Sequence, residues 1–180
     1  MAELGAAHTV FLSVGSNLGD KLDNCRRGIA ALGTPGLARI ERVSRFFRTS
    51  PVDYLDQDWF VNAAVKITTF LSPPELLERL IGIQRQMGRK RDAIRFGPRL
   101  LDLDILLFDA LVMRTETLEI PHPRMHKRAF VLQPICDIDP TIIHPVLERR
   151  VKDLLAAIED DDQRVIPLDD APEPAKGSPP

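Results

Sequence analysis

The sequence contains few cysteines, and the two that it has are far apart. Cys25 and Cys136 are the only cysteines among the 180 residues, and they form no close pair. Disulfide-stabilised domains and cysteine zinc sites both need several cysteines at short spacings. The sequence therefore argues against both, and we predict that the two cysteines are small hydrophobic side chains of the core.

The chain also lacks an excess of charge of one sign. Its 24 basic and 26 acidic residues give a formal net charge of −2. A protein that is drawn to nucleic acid or to an anionic membrane by its overall field carries a clear basic excess. We therefore expect no nucleic-acid partner and no membrane partner, and any basic site must be local.

Long hydrophobic runs are missing as well. The apolar runs are far shorter than the ~20 residues that a membrane helix needs. The first residues, MAELGAAH, have neither the basic segment nor the apolar segment of a secretion signal. These features predict a cytoplasmic protein. We expect a monomer, although no motif addresses the oligomeric state.

Length and composition predict one folded domain. With 180 residues, of which 44% are apolar, the chain can build one sizeable core. Both ends are rich in small, charged or proline residues, a composition that buries too little surface to offset chain entropy. We predict a flexible N-terminus at 1–8, one domain at 9–168 and a disordered proline-rich tail at 169–180.

Hydrophobic periodicity predicts alternating strands and helices within that domain. Strands are predicted at 9–14, 39–47, 62–69 and 101–108, and helices at 20–32, 72–88 and 151–158. Ser72 and Glu75, separated by two prolines, have the spacing of a capping box at the start of the second helix. The order strand, helix, strand, strand, helix, strand is that of a ferredoxin-like α+β sandwich, an antiparallel sheet with helices packed on one face. That fold hosts many functions, so the chemistry must come from individual residues.

The segment 95–108, RFGPRLLDLDILLF, places two acids on one strand. Side chains alternate along a strand, so Asp102 and Asp104 share a face, about 7 Å apart at Cβ. The opposite face is formed by Leu101, Leu103, Ile105 and Leu107. Two like charges in a strand are unfavourable, and divalent cations would relieve the conflict. Two Mg²⁺ ions about 3.5–4 Å apart could share such carboxylates with phosphate oxygens. Taken alone, the pair fits a metal site and a solvated edge strand equally well.

A basic cluster precedes this strand. Within fifteen residues, opposed only by Asp92, the sequence has Arg85, Arg89, Lys90, Arg91, Arg95 and Arg99. Guanidinium groups bind phosphate oxygens in pairs, and phosphoryl transfer requires neutralisation of developing charge. Gly88, Gly97 and Pro98 bound the cluster and offer hinges for a mobile catalytic loop. A solvated patch or a nucleic-acid contact is the alternative, but the neighbouring aspartates favour a Mg²⁺-polyphosphate site.

The segment 95–106 resembles the signature of the hydroxymethyldihydropterin pyrophosphokinase family at every position. Further family motifs follow in order: VGSNLG at 14–19, FRTSP at 47–51, FVNAAV at 60–65, GR at 88–89, PHPR at 121–124 and RAFVLQP at 128–134. The likeness covers residues about 9–158. It implies a ferredoxin-like fold and a place in folate biosynthesis. It also implies transfer of diphosphate from Mg-ATP to 6-hydroxymethyl-7,8-dihydropterin, with AMP as the second product.

The resemblance also implies which residues bind ATP. Asp102 and Asp104 match the aspartates that hold two Mg²⁺ ions, and with Arg89 and Arg99 they are the predicted catalytic residues. The predicted ATP-binding residues are Gln84, Arg89, Arg91, Arg99, Ile105, His122 and Arg128. Some positions depart from the family: Gln84 replaces a frequent Glu, Phe96 a Trp, and Thr117 and Glu119 differ from nucleotide-contacting residues of some members. These departures concern adenine and ribose binding rather than the chemistry.

The pterin side is implied in the same way. The predicted substrate-binding residues are Thr49, Ser50, Pro51, Val52, Phe60, Asn62 and Phe130. Thr49 and Val52 match a loop that offers backbone hydrogen bonds, and Asn62 matches the side chain that reads the pterin edge. Phe60 and Phe130 match a ring-stacking pair, although such aromatics taken alone are more often core residues.

The predicted reaction is a direct in-line attack of the pterin hydroxymethyl oxygen on the β-phosphorus, since the sequence shows no arrangement for covalent catalysis. Asp102 is the candidate general base.

The rival hypotheses are a ferredoxin-like RNA-binding or regulatory module and a two-metal transferase for another substrate. Residues 15–20 lack the spacing of a phosphate-binding loop and are interpreted as a turn with a helix cap. Pro121 and Pro123 argue against a zinc site on His122 and His126, and Trp59 is a candidate lid residue.

Overall fold

The structure is a computed structural model and describes residues 6–88 and 97–168. Within these ranges the strands are β1 (His8–Ser16), β2 (Arg39–Val43), β3 (Phe47–Thr49), β4 (Phe60–Thr69), β5 (Asp102–Phe108), β6 (Met113–Arg114), β7 (Glu119–Ile120) and β8 (Val165–Pro167). The helices are α1 (Lys21–Leu32), α2 (Pro73–Gln86), α3 (Ala129–Ile138) and α4 (Val151–Ala156), with a 3₁₀ turn at Met125–Lys127. None of the helices in the two described ranges is long and apolar enough to cross a membrane.

Six strands form one antiparallel sheet in the order β5-β1-β4-β3-β8, and β2 pairs with β4 beside β3. The first strand of the chain therefore lies in the interior, between the strand after α2 and the strand before it. This is the ferredoxin-like arrangement, so the predicted α+β fold is confirmed. Strands β6 and β7 form a separate hairpin, and β1 begins at His8, one residue within the segment predicted to be flexible.

Helices cover both faces of the sheet. One face packs with α1 and α2 around a core that includes Val10, Leu12 and Val14. The other face packs with α3 and α4 around a core that includes Phe11 and Ala64. The prediction of helices on one face only was therefore wrong, because the sequence analysis did not identify α3.

Helix α3 was missed because its segment contains a proline. Pro134 lies inside the helix, where it removes one backbone donor and normally disfavours helical structure. The apolar stripe of α3 offsets this cost, since Val131, Leu132 and Ile135 are at most 3% exposed. Tertiary packing, which a local pattern does not show, stabilises the helix.

A bulge in β5 changes which face its side chains occupy. Phe11 pairs with Leu107 and Leu12 pairs with Ile105, so one extra residue, Leu106, is inserted. Ile105 belongs to the α1/α2 core, whereas Leu106 and Leu107 belong to the opposite core. The prediction that Leu107 shares a face with Ile105 was wrong. Asp102 precedes the bulge and is unaffected by it.

Two predicted helix starts are confirmed. The backbone N–H of Ser72 donates to the Glu75 carboxylate at 2.8 Å, as part of the predicted capping box of α2. The Asp20 carboxylate caps α1 by accepting the N–H of Asp23 at 3.0 Å, and Gly19 has a φ of +61° in the preceding turn. The predicted strand 39–47 is instead two strands, β2 and β3, and between them the Ser44 hydroxyl accepts the backbone N–H of Ala64 at 2.9 Å.

Candidate active site

A pocket of about 240 Å³ opens on the α3 face of the sheet, beside the start of α3. Its floor is formed by the ends of β5, β1 and β4. Its rim is formed by the loop 50–57, by residues 97–99 and by residues 122–130. The pocket therefore joins segments that are far apart in the chain.

Strand register places three residues in a row across the floor. Gly15 on β1 pairs with Asp102 on β5 and with Asn62 on β4. Residues directly opposite each other in an antiparallel sheet point to the same face. The Asp102 carboxylate and the Asn62 amide therefore rise on either side of Gly15. Asp104 lies in the next row, opposite Ser13.

Gly15 is the residue that lets the Asn62 amide lie across the floor. A Cβ atom built on Gly15 would collide with Oδ1 of Asn62. The Asn62 amide is also held from the other side, because its Nδ2 donates to the Thr49 hydroxyl at 2.6 Å. Asn62 and Thr49 are 4% and 1% exposed, so this contact is shielded from water. The sequence analysis interpreted residue 15 only as part of a turn and missed its place in the floor.

The acidic wall of the pocket consists of Asp102 and Asp104, both half-buried. The Arg99 guanidinium lies 4.0 Å from the Asp102 carboxylate. Among residues 6–88 and 97–168, no group of three or more His, Cys, Asp or Glu side chains could hold a metal ion. Mg²⁺ usually keeps several waters and binds one or two carboxylates together with substrate phosphates. The two aspartates therefore fit Mg²⁺ ions that arrive with a polyphosphate, rather than a closed protein cage.

The basic rim lines the same pocket and consists of Arg124 and Arg128, next to His122. Asp53, at the tip of the loop 50–57, accepts from Arg128 at 2.7 Å and from Arg124 at 3.4 Å. The Arg128 guanidinium also lies 5.5 Å from the ring centroid of Phe130. Asp53 and Arg124 were not among the predicted site residues, since neither ion pair can be read from local sequence.

His122 is uncharged at neutral pH. Burial, together with the guanidinium groups of Arg128 and Arg124, lowers the pKa of His122 to about 4, although Asp102 acts in the opposite direction. Its Nδ1 accepts the backbone N–H of Arg124 at 3.2 Å. The proton of the neutral ring is then on Nε2, so His122 offers a hydrogen-bond donor to the pocket rather than a charge.

The structure brings three of the seven predicted ATP-binding residues together in the pocket, with the two predicted catalytic aspartates. Arg99, Asp102, Asp104, His122 and Arg128 line the pocket. Gln84 and Ile105 do not line it. The predicted Arg89 and Arg91, and also Phe96, lie outside the described residues.

Gln84 on α2 contacts the backbone of β5 between the two aspartates of the acidic wall. Its side chain is 2% exposed on α2, and its amide oxygen accepts the N–H of Leu103 at 3.3 Å, between the two aspartates. The Ile105 side chain lies in the α1/α2 core, which leaves its backbone as the group available to a ligand. The assignment of both residues to ATP binding stays a prediction.

On the pterin side, six of the seven predicted residues line the pocket, namely Thr49, Ser50, Val52, Phe60, Asn62 and Phe130. Pro51 is not among the lining residues. Trp59, the candidate lid, is half-buried, and the Arg48 guanidinium lies 4.8 Å from its ring centroid. Trp59 does not line the pocket described here, so nothing in its position supports a lid.

The chain is similar to known proteins over most of its length. Residues 11–140 match the sequence model of the family described as 7,8-dihydro-6-hydroxymethylpterin-pyrophosphokinase (HPPK). The 2-amino-4-hydroxy-6-hydroxymethyldihydropteridine pyrophosphokinase of Bacillus subtilis (strain 168) is 44% identical over 128 residues, which are 71% of this chain and 76% of the relative. The protein of the same name from Aquifex aeolicus (strain VF5) is 35% identical over 145 residues, covering 81% of this chain and 89% of the relative.

Longer proteins also contain a region similar to this chain. The Folate synthesis bifunctional protein, mitochondrial, of Arabidopsis thaliana is 44% identical over 131 residues, which are 73% of this chain but 23% of that protein. A solved Plasmodium falciparum HPPK-DHPS structure has a TM-score of 0.68 at 15% identity, covering 86% of this chain and 46% of that one. This chain thus spans about half of that structure. At 15% identity, the similarity supports the fold alone. The family match over most of the chain shows that this protein belongs to the 7,8-dihydro-6-hydroxymethylpterin-pyrophosphokinase family.

Proposed function

We propose that this chain transfers diphosphate from ATP to 6-hydroxymethyl-7,8-dihydropterin, with AMP and the pterin diphosphate as products, in folate biosynthesis. The observation that carries the proposal is the row across the pocket floor, Asp102, Gly15 and Asn62. In that row a carboxylate suited to Mg²⁺-bound phosphate and an amide suited to the edge of a heterocycle lie on β5 and β4, on either side of β1, in one pocket. Such an arrangement suits a reaction between two bound substrates.

The polyphosphate is proposed to lie between the acidic wall and the basic rim. Asp102 and Asp104 would hold two Mg²⁺ ions bound to the phosphates, and these ions would neutralise phosphate charge and favour attack at phosphorus. Arg99 and Arg128 would donate to phosphate oxygens from opposite sides. His122 would add the Nε2–H donor of a neutral ring.

The pterin is proposed to lie between Phe60 and Phe130, whose rings line the same pocket. Stacking on such rings tolerates any flat heterocycle, so specificity must come from polar groups. Because Nδ2 of Asn62 donates to Thr49, its Oδ1 is the atom offered to donors on the pterin edge. Backbone groups of the loop 49–52 would complete the hydrogen bonding.

In the transfer itself, the hydroxymethyl oxygen of the pterin attacks the β-phosphorus, and the bond from that phosphorus to the oxygen of AMP breaks. The hydroxyl proton is proposed to pass to the Asp102 carboxylate, which lies on the floor row nearest the pterin side. Arg99, 4.0 Å from that carboxylate, would stabilise charge on the transferring phosphates. Holding both substrates in line provides much of the remaining rate enhancement.

The test is whether AMP appears from Mg-ATP only when the pterin alcohol is present. The proposal predicts AMP and pterin diphosphate in equal amounts, and none without the pterin. AMP formation with a different acceptor only would favour another two-metal transferase. Binding of RNA without any turnover would favour the RNA-binding alternative. A cytoplasmic location, a monomeric state and the absence of nucleic-acid and membrane partners stay predictions.

A further inference from the structure

We propose that Asn17 is a positioning residue that holds the phosphate side and the pterin side of the pocket at a fixed separation. The inference rests on the proposed function. Asn17 follows the last residue of β1 and belongs to the segment 15–20, which the sequence analysis interpreted as a turn with a helix cap. Its contacts extend well beyond that turn.

Asn17 makes four hydrogen bonds to two different segments. Its backbone N–H donates to the carbonyl of Arg99 at 3.0 Å, and its Oδ1 accepts the N–H of Arg99 at 2.8 Å. Its Nδ2 donates to Oε1 of Gln57 at 2.9 Å and to the carbonyl of Asp58 at 3.2 Å. The residue is 1% exposed, so water cannot replace these partners.

The two bonds to Arg99 fix both polar groups of its backbone. They therefore set the point from which the Arg99 side chain extends toward Asp102, three residues later. Arg99 also lines the pocket, as Gly97 does. Asn17 thus holds the backbone just before β5, the strand that carries Asp102 and Asp104.

The two bonds from Nδ2 fix the opposite side. Gln57 lines the pocket, and Asp58 precedes Phe60 by two residues. The Gln57 amide in turn donates to the carbonyl of Tyr54 at 2.7 Å, which extends the contact into the loop that contains Val52. One buried amide therefore links the backbone of a phosphate-binding arginine to the segment that presents the pterin pocket.

The residue type matters because one amide supplies both the acceptor for Arg99 and the donors for Gln57 and Asp58. Asparagine offers an acceptor and two donors on one small group, whereas an aspartate offers acceptors alone. A purely local role in the turn is already filled by Asn24, whose amide donates to the carbonyl of Leu18 at 2.8 Å and to the hydroxyl of Ser16 at 3.3 Å. Asn24 is 7% exposed and makes a matched control.

The experiment compares steady-state kinetics and thermal unfolding of the full chain carrying Asn17→Asp, Asn17→Ala or Asn24→Ala. Asn17→Asp keeps the oxygen that accepts the N–H of Arg99. It replaces Nδ2 by a second carboxylate oxygen, which then faces the carbonyl oxygen of Asp58 and is repelled by it. We expect it to raise KM for the pterin roughly 10-fold while changing kcat and the KM for Mg-ATP less than about 3-fold. Asn17→Ala loses both sets of bonds, so kcat should also fall at least about 10-fold.

Asn24→Ala should lower the unfolding temperature to a similar extent as Asn17→Ala but leave all three kinetic constants within about 3-fold of the wild-type values. If the Asn17 and Asn24 variants show the same kinetics at matched stability, Asn17 is only a structural residue and the inference is overturned. Should Asn17→Ala not fold, the split between pterin and Mg-ATP in Asn17→Asp decides the question. A wild-type protein that forms no AMP with the pterin would instead overturn the proposed function, and the inference with it.

Discussion

The carboxylate of Asp53 lies 2.7 Å from the guanidinium of Arg128, at the rim of the pocket proposed to bind ATP. Arg124 approaches the same carboxylate at 3.4 Å. Asp53 has a φ of +71°, a left-handed conformation that is uncommon for residues other than glycine and costs of order 1 kcal/mol. The ion pairs offset that cost. Asp53 thus contacts the same arginines that the phosphates of the proposed ATP would contact.

We expect Asp53→Asn to tighten binding of a non-hydrolysable Mg-ATP analogue by roughly 5-fold, because the phosphates no longer compete with a carboxylate for Arg128. An ion pair of this partly exposed kind is worth about 1 kcal/mol, which corresponds to that factor. Isothermal titration calorimetry measures the effect. Asp56→Asn, an exposed change of equal charge in the same loop, is the control. Weaker binding by Asp53→Asn would mean that Asp53 orients Arg128 for the phosphates instead.

Gly15→Ala should weaken pterin binding selectively, since the added methyl group displaces the Asn62 amide. A site that loses one buried polar contact of this kind typically loses about 1–3 kcal/mol, or roughly 5- to 150-fold in affinity. Binding of the Mg-ATP analogue should change little. Gly82→Ala on α2, where an added Cβ meets nothing within 4 Å, is the control and should leave pterin binding intact. Equal loss of both ligands in Gly15→Ala would show a general distortion of the sheet.

The buried His122 predicts how stability depends on pH. Its pKa falls from 6.5 to about 4 in the folded chain, so between these values the unfolded chain binds more protons. Stability of the ligand-free protein should therefore rise with pH across this window and fall as pH drops toward 4. The full difference corresponds to at most roughly 3 kcal/mol.

Urea unfolding of the wild type and of His122→Gln at several pH values tests this expectation. His126 and His144 also have lowered pKa values from burial, so the wild type alone does not isolate one residue. The variant should show a shallower rise in stability between pH 4 and 6.5. Identical slopes for the two proteins would mean that His122 is not the group responsible.

Features that depend on neighbouring residues were predictable from the sequence. Alternation along one strand placed Asp102 and Asp104 on a common face, and the capping box of α2 followed from the spacing of Ser72 and Glu75. In each case the physical cause acts over a few residues. The resemblance to a known family pointed to the same segments. It also assigned motifs that are far apart in the chain to one site.

Features that depend on register and packing were not predictable. Gly15 and Asn62 are neighbours because β1 and β4 pair in one particular register, and no local pattern specifies it. Asp53 and Arg128 are 75 residues apart in the chain, yet they meet at the pocket rim. The bulge that inserts Leu106 was likewise not predictable, because it is defined by how β5 pairs with β1. Such relationships require the folded chain.

The two aspartates of the acidic wall are proposed to hold the Mg²⁺ ions that bind the transferring diphosphate, and the turnover of Asp102→Asn and Asp104→Asn measures this role. Both substitutions keep the size of the side chain and remove a negative charge from a repelling pair, so circular dichroism and unfolding temperature should match the wild type. Asp161→Asn, an exposed change of equal charge, serves as the control. Pterin-dependent AMP formation at saturating Mg²⁺ should fall at least about 100-fold in Asp102→Asn and in Asp104→Asn, and it should be unchanged in the control. Near-normal turnover of either purified aspartate variant would contradict the proposed role of the two carboxylates in holding Mg²⁺.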